Sequence, residues 1–256
     1  KVCEKLVPFM AGFYIIGCII ILILNHAYVL DALKLIVSSA FTPKAAGGGF
    51  IGSTVMMAIR FGIARGLFTN EAGLGSAPIV DAAASTRNPV RQGLIAMTGV
   101  FWDTVIVCAL TGLVLVSSIL RNPDGMSGLS GGALSSAAFA NIPVVGPIVL
   151  TVGLICFAWS TILGWSYYGE RCWVYLCGQK AIMPFRIIYT LVVFVGSVMT
   201  LDAVWGIADI LNASMAFPNL VALLGLSGVI ASETKKYLFD DNMDGWSDDE
   251  IPVVDK

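Results

Sequence analysis

Charge is scarce in this chain. Asp, Glu, Lys and Arg make up 12% of its 256 residues, against roughly 25% in soluble domains. With 57% hydrophobic residues and a mean hydropathy of +0.85, water is excluded as the solvent around most of it. A basic field for nucleic acid is also missing: the net charge is −2 and the pI about 5.3, with acidity gathered from Asp240 onward. Histidine is reduced to His26, at the end of an apolar run, which speaks against a serine triad. The cysteines, Cys3, Cys18, Cys108, Cys156, Cys172 and Cys177, are scattered without a CxxC pair or a His-rich cluster. They read as free thiols rather than as a metal site. No GxxxxGK[ST] loop is present, so an ATP-driven step would need another subunit.

What the chain has is long apolar runs. A hydrocarbon layer about 30 Å thick takes about 20 apolar residues at 1.5 Å each, and that length recurs between polar breaks. The expected spans are Leu6 to Asn25, an interrupted unit from Gly48 to Ser85, Gln92 to Leu120, Val144 to Tyr168, Arg186 to Ile207 and Leu211 to Ile230. The stretch Ala27 to Phe41 carries Asp31 and Lys34 and is too short to span, so it is expected as an interfacial or re-entrant connection. Residues 1–239 thus form a transmembrane domain, and 240–256 a disordered acidic tail.

Basic residues near span ends set the orientation. Lys1, Lys5, Arg87, Arg91, Arg171, Lys180, Arg186, Lys235 and Lys236 fall on one side, and Lys34, Lys44 and Arg121 on the other. The C-terminus is therefore expected in the cytoplasm, with the loops Arg121 to Pro143 and Ala208 to Leu211 facing outward. The Gly- and Ser-rich loop MSGLSGGALSSAAFA is expected to hold a short helix near the entrance.

The interrupted unit carries most of the chemistry. Gly66, Gly73, Gly75 and Pro78 fall within thirteen residues of membrane-depth sequence, and each weakens a helix or removes a backbone donor. A break is expected near Phe68 to Gly75. Broken backbone survives in a bilayer where it is buried in protein or lines a wet cavity. Arg65, Thr69, Asn70 and Glu71 lie in or beside the break, and ionisable groups inside a membrane are functional candidates. A half-helix starting near Ser76 would aim its positive end at a carboxylate, while freed carbonyls would face an ammonium or a cation. A zwitterionic amino acid presents both charges. The competing reading is a glycine-rich helix kinked for packing, with Arg65 and Glu71 as a buried structural pair.

The runs RGLFTNEAGLGSAP, AAASTRNPVRQG and GVFWDTVIVCALTGLV, with KLVPFMAGFYIIG before them, resemble the alanine or glycine to cation symporter family. The family often has FSNE where this chain has FTNE, which keeps the hydroxyl. The resemblance implies an all-α integral membrane bundle of the leucine-transporter type, built from two inverted repeats. This chain is then expected to be its C-terminal part, with the first broken helix outside it. It implies a plasma-membrane, sodium-coupled symporter of alanine or glycine working by alternating access, with no cofactor and no covalent chemistry. In that reading Phe68, Thr69 and Asn70 line the substrate site.

Further polar groups lie inside other spans. Ser160 and Thr161 are adjacent at mid-span, and Trp165 is one helical turn beyond Thr161. Membrane hydroxyls commonly bond their own helix carbonyls, but they are also hard oxygen ligands of the kind sodium prefers. The resemblance implies the second role, since the corresponding helix of related transporters supplies hydroxyls to sodium. Thr161 and Trp165 join the substrate site in that reading, with Trp165 and Phe68 limiting its size. Asp103, halfway along its span, is a candidate cation site or proton carrier, or else a structural hydrogen-bonding group. Asp202 and Asp209 are expected at the outer interface.

Two alternatives stay open on sequence. An intramembrane aspartyl protease would pair Asp103 with Asp202, although their expected depths differ and TLDAVWG lacks a glycine-framed aspartate. Proton coupling in place of sodium is the other.

Overall fold

A computed structural model describes residues 2–41, 62, 64–129, 131–240 and 243–245, and all regular structure among them is helical. The elements are α1 (Val2–Leu24), α2 (His26–Phe41), α3 (residues 64–70), α4 (Ala77–Asp81), α5 (Pro89–Arg121) and α6 (Gly131–Phe139). They continue with α7 (Val145–Cys177), α8 (Ile182–Val198), α9 (Leu201–Gly225) and α10 (Ser227–Thr234). Among the described residues, five helices are long and apolar enough to cross a membrane: α1, α5, α7, α9 and the stretch Gln179–Val198 that contains α8. The most apolar windows of the last two bury none of their residues inside the protein. Their large apolar side chains, such as Phe194, Val198, Ile210 and Phe217, are exposed, an apolar surface that calls for lipid or further protein against it.

The chain divides into two compact units. The first comprises residues 1–63 and 102–164, and the second residues 64–101 and 165–256.

In the first unit, Tyr14, Cys18 and Ile21 of α1 pack with Val114, Phe139, Val149 and Leu150. A Cβ on Gly17 would sit 2.6 Å from Cγ1 of Val149, so glycine is what lets α1 approach α7 there. Thr111 donates to the Val107 carbonyl, which leaves its Oγ1 to accept from Tyr14 at 2.9 Å. Asn25, fully buried at the end of α1, donates to Ser117 at 3.2 Å and Ser118 at 3.1 Å and accepts from Arg121 at 2.8 Å. The connection α2 is a 16-residue helix and is not among the helices long enough to span. The expected short helix in the Gly- and Ser-rich loop is α6.

In the second unit, α5 starts where Pro89 can accept the loss of a donor and Asn88 caps it, its Oδ1 accepting from Arg91 N at 3.0 Å. The Asn88 amide also donates to the carbonyls of Met243 at 3.0 Å and Gly245 at 3.3 Å. The described part of the acidic tail therefore lies against the start of α5, and the rest of 240–256 falls mostly outside the described residues.

Several helix ends differ from expectation. The break expected at Ala208 to Leu211 is absent, because α9 runs through those positions; the chain instead leaves helical geometry at Met199 and Thr200, both extended. Thr200 precedes the helix and Asp202 sits in its first turn, where a carboxylate suits the positive end of the helix dipole. Asp209 is accordingly inside α9 rather than beside a loop. The expected last span is divided at Leu226. Helix α7 continues nine residues past Tyr168, where Glu170 is held by Arg171 at 3.0 Å and Arg186 at 2.7 Å. The start of the interrupted unit, 48–61, lies outside the described residues.

Candidate functional site

The break is framed by backbone that only special residues adopt. Helix α3 ends at Asn70, and positive φ follows at Glu71 (53°), Gly73 (74°) and Gly75 (80°). Glycine takes such angles freely and glutamate does not. At Gly75 space also demands glycine, since a Cβ would lie 3.0 Å from Oδ1 of Asn219. The freed backbone is partly satisfied from α9, where Asn219 donates to the Gly73 carbonyl at 3.0 Å. Ser76, buried, donates to Oε2 of Glu71 at 2.7 Å. The break thus lies from Glu71 to Ser76, overlapping the expected Phe68 to Gly75. The half-helix expected from Ser76 does begin there, but as α4 it has five residues and Ser76 does not cap it. So short a helix gives little dipole to aim at a carboxylate.

Around the break the aromatic residues converge. Phe68 stacks on Trp165 with ring centroids 6.0 Å apart and planes at 17°, and meets Trp205 edge-on at 6.0 Å and 82°. Tyr168 stands at an angle to Trp165 at 5.7 Å. The guanidinium of Arg65 lies 3.6 Å above the Trp205 ring. It also donates twice to Asp209, at 2.9 Å and 3.4 Å. Arg65 and Glu71 therefore do not form the buried pair weighed on sequence: each has its own partners. Thr69 is exposed and donates to the Arg65 carbonyl at 2.9 Å, and Asn70 is half-buried.

The candidate cation ligands lie in the first unit. Ser160 donates to the Phe157 carbonyl at 3.0 Å and approaches Met10 Sδ at 3.6 Å, while Thr161 is exposed. Asp103 sits in a π-helical stretch, Phe101–Cys108, within α5, a distortion often found at functional positions. Its Oδ2 is buried with no hydrogen-bond partner among the described residues.

Sequence reasoning brought Phe68 and Trp165 together and missed Trp205, Asp209, Tyr168 and Asn219. Spacing carried part of the missing signal: Arg65 and Phe68 are three apart on one helix, Trp205 and Asp209 four apart on another, so each pair shares a face.

Several helices long and apolar enough to span a bilayer, together with one broken helix that has aromatic and charged groups beside its break, define a multi-pass helical membrane protein. The sodium:alanine symporter family matches residues 1–249, and the chain belongs to that family. It is 51% identical over 249 residues to an uncharacterized transporter of Haemophilus influenzae, covering 96% of this chain and 54% of that protein. It is 50% identical over 237 residues to the sodium/alanine symporter AgcS of Methanococcus maripaludis, covering 93% and 51%. To the probable sodium/glutamine symporter GlnT of Bacillus subtilis it is 33% identical over 239 residues, covering 93% and 48%. The chain spans about half the length of these relatives. A family of symporters sets aside the protease alternative at Asp103 and Asp202.

Proposed function

We propose that this chain is the C-terminal part of a sodium-coupled symporter that moves a small neutral amino acid, alanine or glycine, across the plasma membrane by alternating access. The observation that carries the reading is the broken helix at Glu71 to Ser76 with Phe68 stacked on Trp165 beside it, in a chain that is half identical to a sodium/alanine symporter. Phe68, Thr69, Asn70, Thr161 and Trp165 contribute to the substrate site. Ser160, Thr161 and Asp103 are its cation-binding groups. The architecture is the leucine-transporter-like inverted repeat, with the C-terminus in the cytoplasm and sodium as the coupling ion; no cofactor takes part.

Proton coupling is the second reading, favoured by the unpartnered oxygen of Asp103. One experiment decides between them. Full-length protein in proteoliposomes should accumulate labelled alanine under an inward sodium gradient and not under a proton gradient alone. Uptake driven by the proton gradient without sodium would favour the second reading, and no uptake of alanine or glycine under either would overturn the substrate assignment.

A further inference from the structure

Arg65 and Phe68 share one face of α3, and Trp205 and Asp209 share one face of α9. The two pairs interlock: Arg65 reaches Asp209 by two hydrogen bonds and covers the face of Trp205, and Phe68 meets the same indole edge-on. Trp205 is therefore shared between an ion pair and the ring that stacks on Trp165.

Two features separate this arrangement from a permanent brace. The ion pair is partly open, with side-chain exposures of 31% for Arg65 and 39% for Asp209. A pair that water can reach is weak enough to break and re-form, and breaking it strands neither charge in dry protein. It also stands next to a natural pivot, since three positive-φ residues within five positions follow α3 directly. The pair lies about 12 Å along α9 from the first residue of that helix at 1.5 Å per residue, and charges within an apolar helix of spanning length stay only if paired or wet.

We propose that Arg65, Asp209 and Trp205 form a clasp that opens and closes in each transport cycle, and that its state sets whether α3 can move away from α9 and carry Phe68 off Trp165. Closed, the clasp holds Phe68 against both indoles. Open, it releases α3 at the Glu71 to Gly75 pivot. The role is one of gating, and the amino acid need not touch either charge.

The proposal rests on the symport reading for its uptake measurement alone, so the test has an arm that needs no substrate. In full-length, cysteine-free protein, spin labels at Leu67→Cys, exposed on α3, and Ala213→Cys report the separation of α3 and α9. The parent should show a dominant short distance. Asp209→Asn and Arg65→Gln should each add a longer population of comparable size, and the exchanged pair Arg65→Asp with Asp209→Arg should recover the short one. In the uptake arm the neutral variants should slow initial alanine uptake at least tenfold while equilibrium alanine affinity stays within threefold, and the exchanged pair should regain at least a third of the parental rate. If the neutral variants do not fold, Trp205→Leu keeps both charges and must broaden the same distance.

An unchanged distance distribution with unchanged uptake overturns the clasp. So does an equal loss of binding and uptake that the exchanged pair does not repair, because that outcome assigns the charges to the binding frame. A parent that takes up no alanine would sink the symport reading and leave the distance arm to decide the clasp.

Discussion

The hydroxyl of Ser76 and the carboxylate of Glu71 meet at 2.7 Å and close the broken helix on itself. Ser76 is 2% exposed, and Glu71 occupies a left-handed backbone conformation at φ 53°. The hydrogen bond helps hold a strained residue in place. Ser76→Ala should therefore destabilise the protein by about 1.5–3 kcal/mol, the usual range for a hydrogen bond to a charged group. Glu71→Gln, which keeps an acceptor, should cost less. Thermal unfolding of full-length protein in detergent measures both, and a Ser76→Ala protein as stable as the parent would show that the bond does not support the break.

Asn25 uses both ends of its carboxamide, toward Ser117 and Ser118 on one side and Arg121 on the other. Asn25→Ala removes every one of these partners from a fully buried position. A loss of about 3 kcal/mol or more is expected, because buried polar and charged groups left without partners are expensive. The unfolding midpoint should fall sharply while alanine affinity per folded molecule stays at the parental value. A change in affinity with the midpoint preserved would mean that Asn25 acts on the site instead.

The break was legible in sequence because Gly66, Gly73, Gly75 and Pro78 announce it locally; Phe68 followed from its place in the break, and Trp165 from its place one turn beyond Thr161 on the helix the family resemblance singles out. Asp209 was not. Its cation partner lies 144 residues away in the chain, so a lone aspartate in an apolar run looked like the edge of a span. The turn at Met199 and Thr200 was hidden for a related reason: apolar residues continue on both sides of it, and the expected span ran past Asp202 to end near the second aspartate, Asp209. Trp205 went unassigned because an indole in a membrane helix suits lipid or packing equally well. Its neighbours decide, and those come from a distant segment.

Asp103 carries a buried carboxylate oxygen without a hydrogen-bond partner among the described residues, and an unpaired buried charge lowers stability. Asp103→Asn keeps the shape and removes the charge. It should leave thermal stability unchanged or raise it, yet increase the sodium needed for half-maximal uptake at least tenfold if the carboxylate helps hold the coupling ion. Function bought with local instability is a familiar trade. An unaltered sodium dependence would confine Asp103 to a structural role.

Ser160 already donates to the Phe157 carbonyl, which leaves its oxygen lone pairs for a cation, and Thr161 is exposed on the next position. Replacing both with Ala removes two hard oxygen ligands. The double variant should fold and should require about tenfold more sodium for half-maximal uptake, equivalent to about 1.4 kcal/mol. The same sodium curve as the parent would assign both hydroxyls to the helix alone.

Trp165 presents its indole to Phe68 with the planes 17° apart, and both rings are half-buried. Two large rings stacked beside a helix break leave little volume for a substrate side chain, which fits a preference for alanine or glycine. Truncating Trp165→Ala deletes the whole indole and also frees Phe68 to turn. The space should admit several extra methylenes, each stabilising a bound side chain by about 0.8 kcal/mol, so discrimination against valine and leucine relative to alanine should weaken. Alanine itself loses contacts and its transport should slow. Thermal unfolding checks that the variant is folded, and competition of unlabelled valine and leucine against labelled alanine gives the ranking. Should the folded Trp165→Ala protein rank the three amino acids as the parent does, the Phe68 and Trp165 stack packs the helices together without shaping the pocket.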